Sequence, residues 1–319
     1  MLNKKIAVLL WLYHNDLDKE FFDLLYPVQQ YVDIHLALCE DNENSDTINL
    51  FNRMNNIKQI TFMPNCGADI LPFINQLQSI SADNYEYFFK IHSKKSFWGE
   101  NDVGDWRVML LDNLIGSKKA LLDNINYINK TKKGMYGCNS LLYNQNDLPS
   151  NLHNNQINYL TELLNLNEFT SVFFAGTMFA GNTSLYKQYL NSETVDKLTQ
   201  LLSQEKGKIE ETPTGTYSHA MERVLGYIGA SQEVGYLNQE YICIKISDPV
   251  VKQTYPYLDF NIMYNNDIYC VLQSSLYGSV IERSDKTLRI HWKQNGTTIE
   301  YSKIRDNIYV NSLHTGAGV

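Results

Sequence analysis

The chain has 319 residues, of which 44% are apolar, 12% aromatic and 19% charged. That apolar content excludes a disordered chain, and the length suits one large α/β domain or a catalytic domain with a smaller appendage. With 27 Lys and Arg against 35 Asp and Glu, the formal charge of −8 argues against a basic face that holds nucleic acid by counterion release, so any bound phosphate belongs in a local pocket.

Strand-length apolar runs alternate with stretches of helical period through the first half. Lys5–Leu12 reads as a buried strand, and Asp16–Tyr26 places Leu17, Phe21, Leu24 and Leu25 on one helical face before Pro27. Val32–Leu38 is a second strand, Asp46–Met54 a short helix and Ile57–Met63 a third strand. Asp69 stands where it can cap a helix in which Ile70, Phe73, Ile74 and Leu77 share a face. Glu86–Ile91 is a fourth strand, and Asp105 opens a long helix through Ala120 and beyond. This β-α-β-α order predicts a largely parallel sheet with helices on both faces.

Asn139–Asn167 is rich in Asn, Gln and Leu, with one amphipathic helix near Ile157–Leu166, and suits a lid or acceptor loop. Ser171–Ala180 reads as a strand, Ser192–Gln204 as a helix, Lys206–Thr216 as a polar loop and Tyr217–Ile228 as a helix. From about Ser247 Tyr, Ile, Val and Thr dominate, with turns at Asn265-Asn266-Asp267, Ser284-Asp285-Lys286 and Gln294-Asn295-Gly296. Leu288–Trp292 and Thr298–Tyr301 flank the Asn-Gly pair as a hairpin. The expected organisation is an α/β domain over 1–246 and a small antiparallel β module over 247–319.

Ligands of open α/β sheets bind at the carboxyl ends of the strands. Here those ends are followed by His14-Asn15-Asp16, Glu40-Asp41-Asn42, Asn65-Cys66-Gly67-Ala68-Asp69 and His92-Ser93-Lys94-Lys95, a polar set that suits a nucleotide-type ligand. P-loop, dinucleotide-binding, H-E-x-x-H and G-x-S-x-G patterns are absent. The position after Glu86–Ile91, where an Asp-x-Asp would hold a metal, carries His92-Ser93-Lys94 instead. An imidazole and an ammonium donate to diphosphate oxygens directly, so metal-independent stabilisation of a diphosphate is the natural expectation, set against a plain solvated loop. No metal site is expected; a divalent cation stays open.

Asp69 either caps its helix or reaches a ribose or sugar hydroxyl. Trp106 and Arg107 either place a guanidinium over a ligand or simply begin a helix. Gly176 and Gly181, within an apolar strand, suggest close approach by a ligand or another backbone. His219, Glu222 and Arg223 fall on one helix face, where a carboxylate can serve as general base with its neighbours setting its pKa, or where the three form a surface network.

Cys39, Cys66, Cys138, Cys243 and Cys270 contain no C-x-x-C pair, which fits a reducing cytosol and disfavours zinc knuckles and disulfides. Lys4-Lys5 followed by Ile6–Tyr13 imitates a signal peptide, but the apolar run is short and no small-residue cleavage site follows. No window reaches the roughly 18 apolar residues of a membrane span. A cytoplasmic protein is expected, with membrane contact limited to peripheral association at the inner face.

Six segments in this order resemble the rhamnan synthesis protein F family of bacterial polysaccharide glycosyltransferases. They are IAVLLWLYHNDL at 6–17, NCGADILPF at 65–73, KIHSKKS at 90–96, Trp106-Arg107, AGTMF at 175–179 and HAMERVLG at 219–226. The resemblance implies a glycosyltransferase-A-like, Rossmann-like sheet with flanking helices. It also implies transfer of a sugar from a nucleotide-sugar donor, dTDP-rhamnose being one candidate, to a glycan or lipid-linked glycan of a cell wall, capsule or lipopolysaccharide. Cys66 stands where many relatives carry a basic residue, which points to altered donor contacts. The β module lies outside the resemblance.

On that reading Tyr13, His14, Asn65, Gly67 and Asp69 lie near the nucleotide and donor sugar, while His92, Ser93 and Lys94 face the departing diphosphate. Trp106, Arg107, Gly176, Thr177, Met178, His219 and Arg223 complete the binding set. Glu222 is the base candidate, Asp69 the reserve, and His92 and Lys94 the leaving-group stabilisers. Other readings are a non-catalytic glycan- or nucleotide-binding subunit, and a structural partner in a polysaccharide-synthesis complex or homo-oligomer.

Overall fold

The computed structural model describes residues 6–93, 105–116, 118–138, 141–147, 153–166, 169–207, 215–237, 242–245, 261–264, 267–272, 278–284, 286–292, 298–305 and 308–311. The chain divides into two units, 1–94 with 110–238, and 95–109 with 239–319.

In the first unit β1 (Ile6–Leu12), α1 (Asp18–Leu25), β2 (Val32–Cys39), α2 (Ser45–Phe51), β3 (Ile57–Met63), α3 (Ile70–Ser79) and β4 (Tyr87–His92) alternate as the apolar periodicity predicts. The long helix expected from Asp105 is two: α4 (Asp105–Ile115), which begins in the second unit, and α5 (Lys118–Thr131). The break falls beside Gly116, a poor helix former. There follow β5 (Met135–Gly137), β6 (Leu142–Asn144), α6 (Asn154–Leu163), β7 (Val172–Phe174), β8 (Phe179–Asn182), α7 (Thr183–Tyr189), α8 (Ser192–Leu202), α9 (Tyr217–Ala230) and β9 (Val234–Tyr236).

The main sheet has the order β3-β2-β1-β4-β8-β5-β9. All its pairings are parallel except those of β8, which runs against β4 and β5. Every residue of β1, β2 and β4 is buried, as expected of strands covered on both faces. Phe88 of β4 packs against Phe73 of α3, Phe179 of β8 and Tyr186 of α7, with ring centroids 5.1–5.9 Å apart. That aromatic cluster locks α3 to the sheet and sets the height at which Asp69 meets the end of β4.

Ser171–Ala180, expected as one strand, is two strands separated by a turn. β7 pairs with β6 in a two-stranded sheet, and β8 joins the main one. At Gly181, paired with Phe88 of β4 and Met135 of β5, a Cβ would lie 2.5 Å from Phe88 Cζ and 2.8 Å from Tyr186 Cε2, so the missing side chain makes room for rings.

The second unit holds β10 (Ile242–Lys245), β11 (Asn261–Tyr264), β12 (Asp267–Leu272), β13 (Gly278–Arg283), β14 (Thr287–Trp292), β15 (Thr298–Arg305) and β16 (Ile308–Asn311), in the order β11-β12-β10-β16-β15-β14-β13. Pairing is antiparallel except between β10 and β16, which are parallel. β14 and β15 pair as the hairpin signal predicts, with Leu288 opposite Tyr301; the Asn265-Asn266 and Asn295-Gly296 turns lie outside the described residues. Among the described residues no helix is long and apolar enough to cross a membrane.

Candidate functional site

The carboxyl ends of β1 and β4 are tied by one hydroxyl. Ser93 Oγ accepts the backbone N–H groups of Tyr13 at 2.8 Å and His14 at 2.9 Å, and the Ser93 N–H donates to the Trp11 carbonyl. The Tyr13 hydroxyl accepts from Asn65 Nδ2 at 3.1 Å, and its carbonyl accepts from Asn42 Nδ2 at 2.6 Å. Polar residues after β1, β2, β3 and β4 thus meet in one rim.

Below that rim lies a buried charge pair. Lys90 and His92 alternate along β4 and so share one face of the sheet. Lys90, 1% exposed, donates to Asp69 Oδ2 and, at 2.9 Å, to the Thr177 carbonyl; its ammonium also stands 5.5 Å from the Phe73 ring centroid. The Thr177 hydroxyl donates to the same Asp69 oxygen at 2.6 Å, and His92 Nδ1 lies 3.5 Å from it. Asp69 occupies the N-cap position of α3 with no side-chain bond to the helix. Its carboxylate is turned toward β4 and the 175–178 turn, because a buried ammonium demands a partner more strongly than a helix end open to other donors does.

The second cluster sits on α9. Glu222 Oε1 accepts the Gly176 N–H at 2.8 Å, and Oε2 pairs with Arg223 Nη1 at 2.9 Å. Arg223 Nη1 also donates to the His219 carbonyl at 2.7 Å, and the guanidinium carbon stands 5.0 Å from the Phe173 ring centroid. The His219 ring does not join this pair. Its Nδ1 bonds the Thr216 hydroxyl at 2.6 Å and its ring stacks on His153, 5.4 Å away. His153 Nδ1 accepts the Thr216 N–H at 3.2 Å.

Both clusters close on adjacent residues of one turn. Gly176 has φ +85° and Thr177 φ +51°. Left-handed backbone suits Gly176; at β-branched Thr177 it costs on the order of 1–3 kcal/mol and persists only where surrounding bonds impose it. Here those bonds come from Asp69, Lys90 and Glu222.

The model of the family described as rhamnan synthesis protein F matches residues 1–234. The chain belongs to the rhamnan synthesis protein F family. Among solved structures it is similar to S. aureus TarS 1–349, with a TM-score of 0.40 and 11% identity over 73% of this chain. It spans 58% of that chain, less than two thirds of its length. No curated protein matches.

Within this rhamnan synthesis protein F family member, Tyr13, His14, Asn65, Asp69, His92, Ser93, Gly176, Thr177, Glu222 and Arg223 are linked by the contacts above. Gly67 (φ +64°) forms the turn before α3, with its N–H on the Glu205 carbonyl, and the space at its α-carbon is filled by Leu71 and Leu202. Neighbouring Cys66 is buried, which pushes its thiol pKa up, so it stands there as a neutral thiol. Met178 is buried and packs inward. Arg107 is buried and, like Trp106, belongs to the second unit; Lys94 lies outside the described residues.

Four residues absent from the sequence expectations prove central. Lys90 carried a readable signal, a lysine inside the otherwise apolar run Tyr87–Ile91, since a lysine is rarely buried without a partner. Glu205 had none: it caps α9, accepting from Tyr217 N at 2.6 Å, Ser218 N at 2.8 Å and Ser218 Oγ at 2.6 Å. Thr216, the N-cap of α9, and His153 at the head of α6 likewise depend on a contact distant in sequence. Asp16-Leu17-Asp18 does spell Asp-x-Asp, but it follows β1, and Asp18 accepts the Thr47 hydroxyl at 3.1 Å. Among the described residues no group of three or more His, Cys, Asp or Glu is placed to hold a metal ion.

Proposed function

We propose that this protein is a glycosyltransferase that moves a sugar, rhamnose being the first candidate, from a nucleoside-diphosphate donor to a cell-surface glycan or lipid-linked glycan. The observation that carries this reading is the Asp69–Lys90–Thr177 cluster joined through Gly176 to Glu222. Membership of the rhamnan synthesis protein F family supports it, and a glycosyltransferase-A-like sheet is the fold it entails.

The donor nucleotide lies across the rim formed by Tyr13, Asn65 and Ser93. Lys90 is committed to Asp69 and so orients rather than binds phosphate. His92, placed beside Asp69, and Lys94 donate to the departing diphosphate and make a bound cation unnecessary. Glu222 acts as base toward the acceptor hydroxyl: each of its oxygens takes one donor and keeps a lone pair for a second. Action at the inner face of the membrane, as a peripheral protein or within a synthesis complex, follows from such an acceptor.

The test is release of nucleoside diphosphate from a panel of nucleotide sugars, dTDP-rhamnose included, with and without EDTA. Release from one donor that survives chelation and falls at least about 100-fold in His92→Ala is expected. No release from any donor, with no thermal shift by any nucleotide, would sink the proposal.

A further inference from the structure

Two exposed rings, Tyr143 and Phe169, each pack on a buried ring, Phe173 of β7 and Tyr227 of α9. Tyr143, the middle residue of β6, is 37% exposed and stands directly across the ladder from Phe173 of β7, with ring centroids 6.2 Å apart. Phe173 is buried and is the ring against which the guanidinium rests. Phe169 is 38% exposed and stacks on Tyr227 with centroids 4.8 Å apart and planes 9° from parallel. Tyr227 is buried and follows Arg223 by four residues on α9, so the two share a helix face. Each outer ring is therefore backed by a fixed inner ring; one of these, Phe173, carries the Arg223 guanidinium on its face, and the other, Tyr227, lies one helical turn from Arg223 on α9.

Such rings lose little freedom when a ligand docks on them, and each offers an apolar face with negative quadrupole charge. A pyranose presents the complement, a face of weakly positive C–H groups edged by hydroxyls that donate to a carboxylate and accept from a guanidinium. Charge narrows the choice further. Arg223 is already neutralised by Glu222, so the spot suits an uncharged sugar better than a phosphate, which would meet the Glu222 carboxylate.

We propose that Tyr143 and Phe169 form the acceptor subsite, a stacking platform for a neutral pyranose chain whose terminal hydroxyl reaches Glu222. The proposal rests on the glycosyltransferase reading for its chemistry, but its binding is measurable without turnover. The experiment titrates the full chain with a methyl α-rhamnoside trisaccharide and, for comparison, maltotriose, followed by ligand-observed NMR. Tyr143→Ala and Phe169→Ala are expected to weaken trisaccharide binding at least about 3-fold each, and Tyr143→Phe to preserve it, because the ring face and not the hydroxyl makes the contact. Donor hydrolysis without acceptor should keep the wild-type rate in all three variants.

Equal binding by wild type and both alanine variants would overturn the subsite, as would no binding of either saccharide to the wild type. Self-association of the wild type that these alanine substitutions abolish would assign the rings to a second copy of the chain and overturn it too. Trisaccharide binding lost in the variants while the wild type turns over no donor would leave the subsite standing and remove the transferase reading. Donor turnover with an unchanged acceptor KM in Tyr143→Ala would do the reverse.

Discussion

Thr177 and Lys90 donate to a single oxygen of Asp69, one through a hydroxyl at 2.6 Å and the other through a buried ammonium. Thr177 is thereby held at φ +51°, while its neighbour Gly176 gives its N–H to Glu222. The turn thus connects the carboxylate beside β4 to the carboxylate on α9 through two adjacent peptide units.

Thr177→Val keeps shape and β-branching but deletes the hydroxyl. It leaves Asp69 one donor short beside a backbone that remains strained, so a loss of about 1–3 kcal/mol is expected in urea melts. Thr177→Ser should stay within about 1 kcal/mol of wild type. If valine and serine behave alike, the hydroxyl does not hold the turn.

Lys90→Met removes one partner of a buried pair and strands the other, for which about 3–5 kcal/mol is the usual cost. Asp69→Asn in the same background should cost less than the sum of the two single changes, because the charge left unpaired by the first is deleted by the second. Denaturant midpoints of the four proteins give the coupling. Additivity within about 0.5 kcal/mol would show that the two side chains are not energetically linked.

Much of this arrangement was legible in the residues. β1, β2, β3 and β4 fall within one residue of their expected bounds, since strand-length runs rich in apolar residues between turn residues leave little freedom, and the strand-end rule pointed to His14, Asn65, Asp69, His92 and Ser93. Short elements escaped. β5, β6 and β9 have three residues each, too few for any period to show, and α7 follows β8 with no loop between them. Turn 175–178 was hidden because Ala175, Met178 and Phe179 are as apolar as a strand. Asp69 was placed correctly at the head of α3, but the direction of its side chain depends on Lys90, 21 residues away.

Glu222→Gln separates chemistry from architecture. The amide oxygen still accepts the Gly176 N–H but the ion pair with Arg223 is lost, so the thermal midpoint should fall by several degrees, whereas loss of the proposed general base lowers kcat, measured well below that midpoint, by about 100- to 10,000-fold. The comparison is made by nucleoside diphosphate release in the presence of acceptor. Turnover within about tenfold of wild type would remove Glu222 from the role of base.

His35 makes the stability pH-dependent. It lies buried in β2, with its ring edge-on to Tyr85 at 5.7 Å, and burial lowers its pKa below 6.5; the neighbouring Gln59 side chain and the charge of Asp33 oppose that, and the charge of Lys58 adds to it. Tyr85 cannot relieve it by ionising: burial first, and then Asp33, pushes that phenol up to about 12. Between the depressed native value and 6.5 the unfolded chain binds more protons at this site than the native one, so stability rises with pH across that window and is lost on acidification through it. Above 6.5 both states are neutral and the contribution is complete; below the native value both are charged and the slope vanishes. Unfolding free energies of wild type and His35→Gln, measured by urea at half-unit steps from pH 7.5 to 5, should therefore diverge in slope only below 6.5, with the glutamine variant the flatter. Parallel curves throughout would mean that His35 binds a proton as readily in the native state as in the unfolded one.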